Sequence, residues 1–279
     1  MNVSMADAFN LGWKLAAVLH AQAEPKLLYS YAEERRAKAV ELIDFDRDMA
    51  RLFSAKPKAG GDGADPEKFQ QYFAMHGRYT AGVETRYDAS LITGAPTHQQ
   101  LASGLAIGKR FHSALVIRLA DAKPVQLGHT LKADGRWRLI AFAGQGDPTD
   151  AQSWLTAFCD FLGRAPDSPV VRYTPAGADV DSVIDVRAVL QQGHRVCDLF
   201  AMHPFLKPNK GRHGLVDYEK IFCPDLKGGQ DIFVLRGIDR AQGCLVVVRP
   251  DQFVAQVLPL DATDALGTFF AGFMRAQSR

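Results

Sequence analysis

Several short stretches carry residue types and spacings that could do chemistry. "GQGDPT" (144–149) follows an apolar run and precedes a helical pattern. That is the setting of a G-x-G-x-x-G dinucleotide loop, whose glycines let backbone amides approach a pyrophosphate at a helix N-terminus. Thr149 stands where the third glycine belongs and Pro148 stiffens the turn, so an ordinary strand-to-helix turn is expected. "DFDRD" (44–48) resembles the opening of a calcium loop, but Met49 replaces the required glycine and Ala55 the closing glutamate. It lies inside a helical pattern and reads as an acidic helix face. Cysteines at 159, 197, 223 and 244 form no C-x-x-C, so neither a metal site nor a dithiol redox site is expected. The eight histidines form no H-x-x-x-H, and no G-x-S-x-G elbow is present. "KGRHGLVDYEK" (210–220) gathers Arg212, His213, Asp217 and Tyr218, but without a nucleophile nearby it reads as a polar surface loop. No catalytic residue is assigned.

The elements that must hold these stretches follow from periodicity. Ser4 reads as an N-cap, with Asp7 three residues on, and Phe9, Trp13, Ala16 and Ala17 follow at helical spacing. A second helix is predicted over about 26–53, with Leu28, Tyr31, Ala39, Leu42, Met49 and Phe53 inward. Glu33, Glu34, Arg35, Arg36 and Lys38 read as its solvated charged face. "KPKAGGDGADPEK" (56–68) reads as an exposed loop, "EKFQQYFAMHGRY" as a short helix, and 80–105 as an irregular stretch holding a domain boundary.

From Gly108 the pattern turns to short strands. "SALVIRLA", "KPVQLGH" and "WRLIAFAG" are strand candidates, the last a continuous apolar run suited to a buried central strand. "TDAQSWLTAFCDFLGR" is helical, with Ala151, Trp154, Leu155, Phe158 and Leu162 inward. "SPVVRYT" and "SVIDVRAVL" are strand or helix candidates. "GGQDIFVLRGID" reads as a strand, followed by a hairpin turning at "PDQF" (250–253). A last helix is capped by Asp261 or Thr263, with Leu266, Phe269, Phe270 and Phe273 inward. The order fits an α/β, thioredoxin-like layout. That fold would be redox-silent, because its attacking cysteine belongs at a helix N-terminus and Cys159 lies well inside the helix.

Bulk properties narrow the class. The 279 residues are 47% apolar and 23% charged with net charge +2, an ordinary globular composition that implies no polyanion partner. No apolar run approaches the roughly 18 residues of a membrane span. There is no basic-then-apolar leader pattern, and scattered cysteines read as reduced thiols of a cytoplasmic protein.

"MNVSMADAFNLGWKLAAVL" and "LLYSYAEERRAKAVELIDFDRDMARLF" resemble the end of the flavin domain in FAD-dependent aromatic hydroxylases. That family has G-Q-G-M-N before a helix reading N-L-x-W-K-L-A, then a helix with Y-x-x-E-R-R. Met1, Asn2, Asn10, Leu11, Trp13, Lys14, Leu15, Ala16, Tyr31, Glu33 or Glu34, Arg35 and Arg36 stand in matching places. Segments such as "GKRFHSALVIRLADAKPVQLGH" and "KGRHGLVDYEKIFCPDLKGG" resemble the C-terminal domain of the phenol 2-monooxygenase and 3-hydroxybenzoate 4-monooxygenase branch. The resemblance implies NADPH- and FAD-dependent hydroxylation of a phenolic ring. It also implies a thioredoxin-like C-terminal domain that forms a homodimer. It places Met1, Asn2, Val3 and Ser4 beside the cofactor. The family's nucleotide fingerprint and substrate groups lie upstream of the segments matched here.

The chain is therefore expected to divide into a helical end of an FAD-binding domain (1–55), a linker with a short helix (56–105) and a thioredoxin-like dimerisation domain (106–279). Met1 reads as an interior methionine of a longer enzyme, the chain being a C-terminal fragment inactive alone. The alternative is a non-enzymatic thioredoxin-like dimerisation module. On the first reading Phe9 and Trp13 would bury against the absent domain, each forgoing about 1.5–3 kcal/mol without it. The first two helices would then be the least stable part.

Overall fold

A computed structural model describes residues 2–54 and 84–277, with residues 70, 71, 74 and 77 between them. The loop expected at 56–68 and most of the short helix after it lie outside the described residues. Two long helices open the chain: α1 (Asn2–Leu19) and α2 (Tyr29–Ser54), joined by a 3₁₀ turn at Pro25–Leu28. Helical geometry already includes Ser4, so it is not the N-cap, and Asp7 pairs with Arg35 instead of closing a capping box. Burial is deepest at the start of α2. Ser30, Glu34 and Arg35 are buried, as is Leu27 in the preceding turn; Leu42 and Met49 are half-buried, and Ala39, Val40 and Ile43 are exposed.

The rest is a seven-stranded mixed sheet with helices. The strands are β1 (Leu115–Arg118), β2 (Pro124–Gln126), β3 (Trp137–Phe142), β4 (Ile184–Val189), β7 (Ile221–Pro224), β8 (Cys244–Val248) and β9 (Val254–Leu258). Their order is β2-β1-β7-β4-β3-β8-β9, with β5 (Asn209–Lys210) and β6 (Leu215–Val216) forming a separate small hairpin. Strand β4 runs parallel to β3 and β7, and β8 runs antiparallel to β3 and β9. Because side chains alternate along a strand, β3 sends Leu139 and Ala141 into one core and Ile140 and Phe142 into the other. Burial on both faces is why "WRLIAF" carries no polar alternation apart from Arg138.

The first core is covered by α3 (Trp154–Arg164), α4 (Pro169–Tyr173) and α6 (Thr263–Ala271). Ser153 caps α3 by accepting from the Thr156 amide, and Leu155, Phe158, Cys159 and Leu162 turn inward. Trp154, expected inward, is half exposed, and Ala151 precedes the helix. "SPVVRYT" forms the short helix α4. The strand expected in "GGQDIFVLRGID" is a single helical turn, α5 (Ile232–Leu235), because Asp231 caps it by accepting from the Phe233 amide. Ala262, not Asp261 or Thr263, takes the N-cap position of α6. The second core is closed by the irregular stretch before β1, where Leu101, Ala102, Leu105, Ile107 and Phe111 are buried.

Candidate functional site

Where the opening helices meet the sheet, a set of charged residues is sealed from water. The period of α2 sets Glu34 and Arg35 three and four residues after Tyr31, on its packed side. In α1, Asn10 and Lys14 share a face at i, i+4 spacing, and Lys14 Nζ donates to Asn10 Oδ1 at 2.8 Å. From the far end of the chain, Arg249 follows β8 and Asp251 lies in the turn to β9.

Glu34 is the centre. Its Oε2 accepts from Asn10 Nδ2 at 2.8 Å, Lys14 Nζ at 2.9 Å and Arg249 Nη2 at 3.0 Å, while Oε1 accepts from Arg249 Nη1 at 2.5 Å. The Arg249 guanidinium, 1% exposed, also donates to both Asp251 oxygens and to Thr93 Oγ1. All five of its N–H groups thus have an acceptor, the condition for burying a guanidinium. Its plane lies among Trp13, Tyr87 and Phe253, with ring centroids 5.9, 5.0 and 5.6 Å from Cζ. Beside it Arg35 bonds Asp7 and donates to the Tyr87 hydroxyl at 3.0 Å. Tyr87 is held by backbone pairing with Gly108, whose φ of +81° and contact with the Tyr87 carbonyl leave no room for a Cβ.

The electrostatics follow from this packing. Burial would raise the Glu34 carboxyl, but the charge and hydrogen bonds of Arg249, helped by Lys14 and Asn10, hold it down to about 2. Lys14 is pushed down to about 8: desolvation outweighs the pull of Glu34, and Arg249 repels it. The same pair therefore holds the carboxylate charged and leaves the ammonium undercompensated. The sign of the pH dependence follows. Glu34 titrates lower in the folded state than its ordinary 4.5, so its stabilisation is complete above about 4.5 and is lost as pH falls towards 2. Lys14 costs stability below about 8, and the cost is relieved between 8 and 10.5. Urea midpoints should fall between pH 4.5 and 2 in the native chain, and the difference from Glu34→Gln should shrink over that window. A difference constant across it would contradict the assignment.

The expected sites fall elsewhere. Met1 lies outside the described residues; Asn2 begins α1, Val3 is half-buried and Ser4 exposed. In "GQGDPT" the Asp147 carboxylate accepts from the Thr149 amide and hydroxyl, closing the turn on itself. "DFDRD" is helical, with Asp44–Arg47 and Asp48–Arg51 pairs, and no cluster able to hold a metal occurs among the described residues. Cys159 is buried and its thiol is pushed well up by desolvation. Arg212 and His213 sit at the tip of the β5–β6 hairpin.

The reading of Glu34 and Arg35 as a solvated face is overturned, because both are buried in the junction. Trp13 is likewise buried within this chain, 5.8 Å edge-on to Trp137. A second ionic cluster went unread in the sequence: Asp185, on β4, pairs with Lys220, Arg138 and Arg187, and Lys220 also bonds Asp181. Its signal was a lone acid inside the apolar run "SVIDVRAVL".

Comparison with known proteins bears on both halves. Residues 85–278 match the phenol hydroxylase C-terminal dimerisation domain, and residues 1–46 match an FAD binding domain. The chain is 58% identical over 278 residues to a 3-hydroxybenzoate 4-monooxygenase of Comamonas testosteroni, covering 99% of this chain and 44% of that protein. It is 32% identical over 286 residues to the FAD-dependent monooxygenase terD of Aspergillus terreus, covering 100% of this chain and 46% of the relative. It thus spans less than half the length of these relatives. In fold it is similar to the flavin-dependent monooxygenase PieE (TM-score 0.51, 19% identity, 97% of this chain and 43% of that one). It is likewise similar to the aromatic hydroxylase CabE (TM-score 0.51, 20% identity, 99% and 41%). No helix among the described residues is long and apolar enough to cross a membrane.

Proposed function

The chain belongs to the phenol hydroxylase family of FAD-dependent aromatic hydroxylases and corresponds to its C-terminal portion, and from that premise we propose that it serves a cytoplasmic, homodimeric enzyme that uses NADPH and FAD to hydroxylate a 3-hydroxybenzoate-like or phenolic ring. The 58% identity favours the hydroxybenzoate side. The observation that carries the reading is the junction itself. Glu34, held by Asn10 and Lys14 within the segment matched to the FAD binding domain, is locked to Arg249, which Asp251 holds within the segment matched to the dimerisation domain. We read this as a rigid joint that fixes the end of a flavin domain on its dimerisation domain.

FAD, when bound, would supply the oxygen chemistry. The first turn of α1 carries no acidic side chain, which would suit a reduced, negatively charged flavin beside it. We assign Met1, Asn2, Val3 and Ser4 to that contact. None of the described residues is assigned a step of the reaction. The β3–α3–β4 and β8–β9–α6 units, in sheet order β4-β3-β8-β9, support a thioredoxin-like domain without a redox cysteine pair. The division at 55 and 105 remains our reading of the organisation.

The purified chain should be colourless and turn over no NADPH with 3-hydroxybenzoate. Joining it to the N-terminal part of the Comamonas relative should yield a yellow protein that hydroxylates the ring. A flavin band in the unmodified chain would contradict the first expectation, and a folded, colourless chimera the second. The match over residues 85–278 also supports the non-enzymatic dimerisation module, which a dimeric chain and an inactive chimera would favour.

A further inference from the structure

Spacing separates the four cysteines along the chain, but the fold brings two of them together. Cys223, fully buried on β7, shares a side-chain hydrogen bond with Cys197, half-buried in the loop after β4. The backbone explains the meeting. Strand β4 runs parallel to β7, and just past its end the Leu190 N–H donates to the Phe222 carbonyl at 2.8 Å. The loop then follows the chain beyond β7, where Leu226 Cδ1 lies 3.7 Å from the place a Gly193 Cβ would take. A turn closed by the Val196 N–H on the Gly193 carbonyl, at 3.1 Å, brings it back. Cys197 and Leu199 then pack against the first core, which includes Cys223. Cys159 and Cys244 are fully buried in the two opposite cores, with the sheet between them.

The two sulfurs are not equivalent. Burial raises both thiols, but their shared hydrogen bond lowers Cys197 and raises Cys223, so Cys223 is the donor and Cys197 the first to ionise. Cys197 is also the one that solvent reaches. A thiolate with access to solvent is the form that small oxidants attack, and a thiol already in contact is placed to resolve the product. Sulfurs in such a bond stand about 4 Å apart or less, and a disulfide needs about 2.05 Å. Strand β7 is fixed between β1 and β4, so the gap closes from the loop, where Val196 beside Cys197 is 79% exposed. This is not the thioredoxin position, which would put the attacking cysteine at the start of α3, where Ser153 is the cap.

We propose that Cys197 and Cys223 are a peroxide-sensitive pair that closes to a reversible disulfide, stapling the loop after β4 to β7. The Cys197 thiolate attacks one oxygen of hydrogen peroxide, the O–O bond breaks, and the hydroxide released takes up a proton to leave as water. The Cys223 sulfur then displaces hydroxide from the Cys197 sulfenic acid, and its proton leaves with that hydroxide as a second water. Two thiols are oxidised by two electrons and one peroxide is reduced. The test treats the reduced chain with hydrogen peroxide and counts thiols after denaturation, with intact mass and non-reduced peptide mapping. The native chain should go from four titratable thiols to two, become about 2 Da lighter and yield one intrachain 197–223 cross-link that dithiothreitol reverses. Cys159→Ser should lose the same two thiols, and Cys197→Ser should form no intrachain cross-link. Three results would each overturn the pair: four thiols surviving, Cys197 gaining oxygen while Cys223 stays reduced, or a cross-link that joins two chains instead of one.

Discussion

Glu34→Ala should cost the chain about 3–5 kcal/mol of folding stability, the penalty for removing one partner of a buried ion pair. Arg249 cannot lose its proton and is sealed from water, so truncating Glu34 leaves a buried guanidinium with Asp251 as its remaining counter-charge. The linkage argument gives a similar size: holding the carboxyl at about 2 rather than 4.5 corresponds to about 3 kcal/mol at neutral pH. Glu34→Gln keeps the shape and one acceptor and should cost less. Lys14→Met should be near neutral, because Lys14 is already driven towards its uncharged form by burial. Urea unfolding of the three variants tests this order. A Glu34→Ala loss below about 1 kcal/mol would mean that water reaches Arg249 and the junction is not sealed.

Trp13→Ala should be comparably damaging, at about 3–5 kcal/mol. Its ring fills the space between Trp137 and the Arg249 guanidinium, and Trp137 in turn packs against Phe269, Phe270 and Phe273 of the C-terminal helix region. Removing it opens a cavity shared by both ends of the chain. Trp13→Phe should cost less, since the Trp13 Nε1 proton is buried without an acceptor and its loss partly offsets the lost volume. Backbone pairing adds to the seam: Glu24 N–H donates to the Phe273 carbonyl and Arg275 N–H to that of Gln22. Hydrogen exchange should therefore find residues 10–35 protected and 40–51 labile in the native chain, with Trp13→Ala releasing the first stretch. This reverses the expectation that both helices await an absent domain. If residues 10–35 exchange as fast in the native chain as in Trp13→Ala, the seam is not held this way.

Much of this protein was legible from the order of its residues. Helix and strand positions follow from local periodicity. The two-faced burial of β3 follows from a run of apolar residues, and the family follows from N-L-x-W-K-L-A and Y-x-x-E-R-R. The errors are local too, where a side chain outcompetes a pattern. Asp231 caps a helical turn in what reads as a strand, and α1 begins two residues before the serine that looks like its cap.

The candidate site belongs to the other category. Glu34 and Arg249 are separated by 215 positions, and nothing in either neighbourhood says that the two will meet. A run such as "EERRAK" looks solvated because charged side chains normally keep their water; only a matched partner makes burial tolerable. The helical period did place Glu34 and Arg35 on the face of Tyr31, so the sequence determined which way these charges point. The tertiary structure decided that the same direction holds a guanidinium with five donors to satisfy. Burial of a charge is a property of the pair, and the pair exists only once the chain has folded.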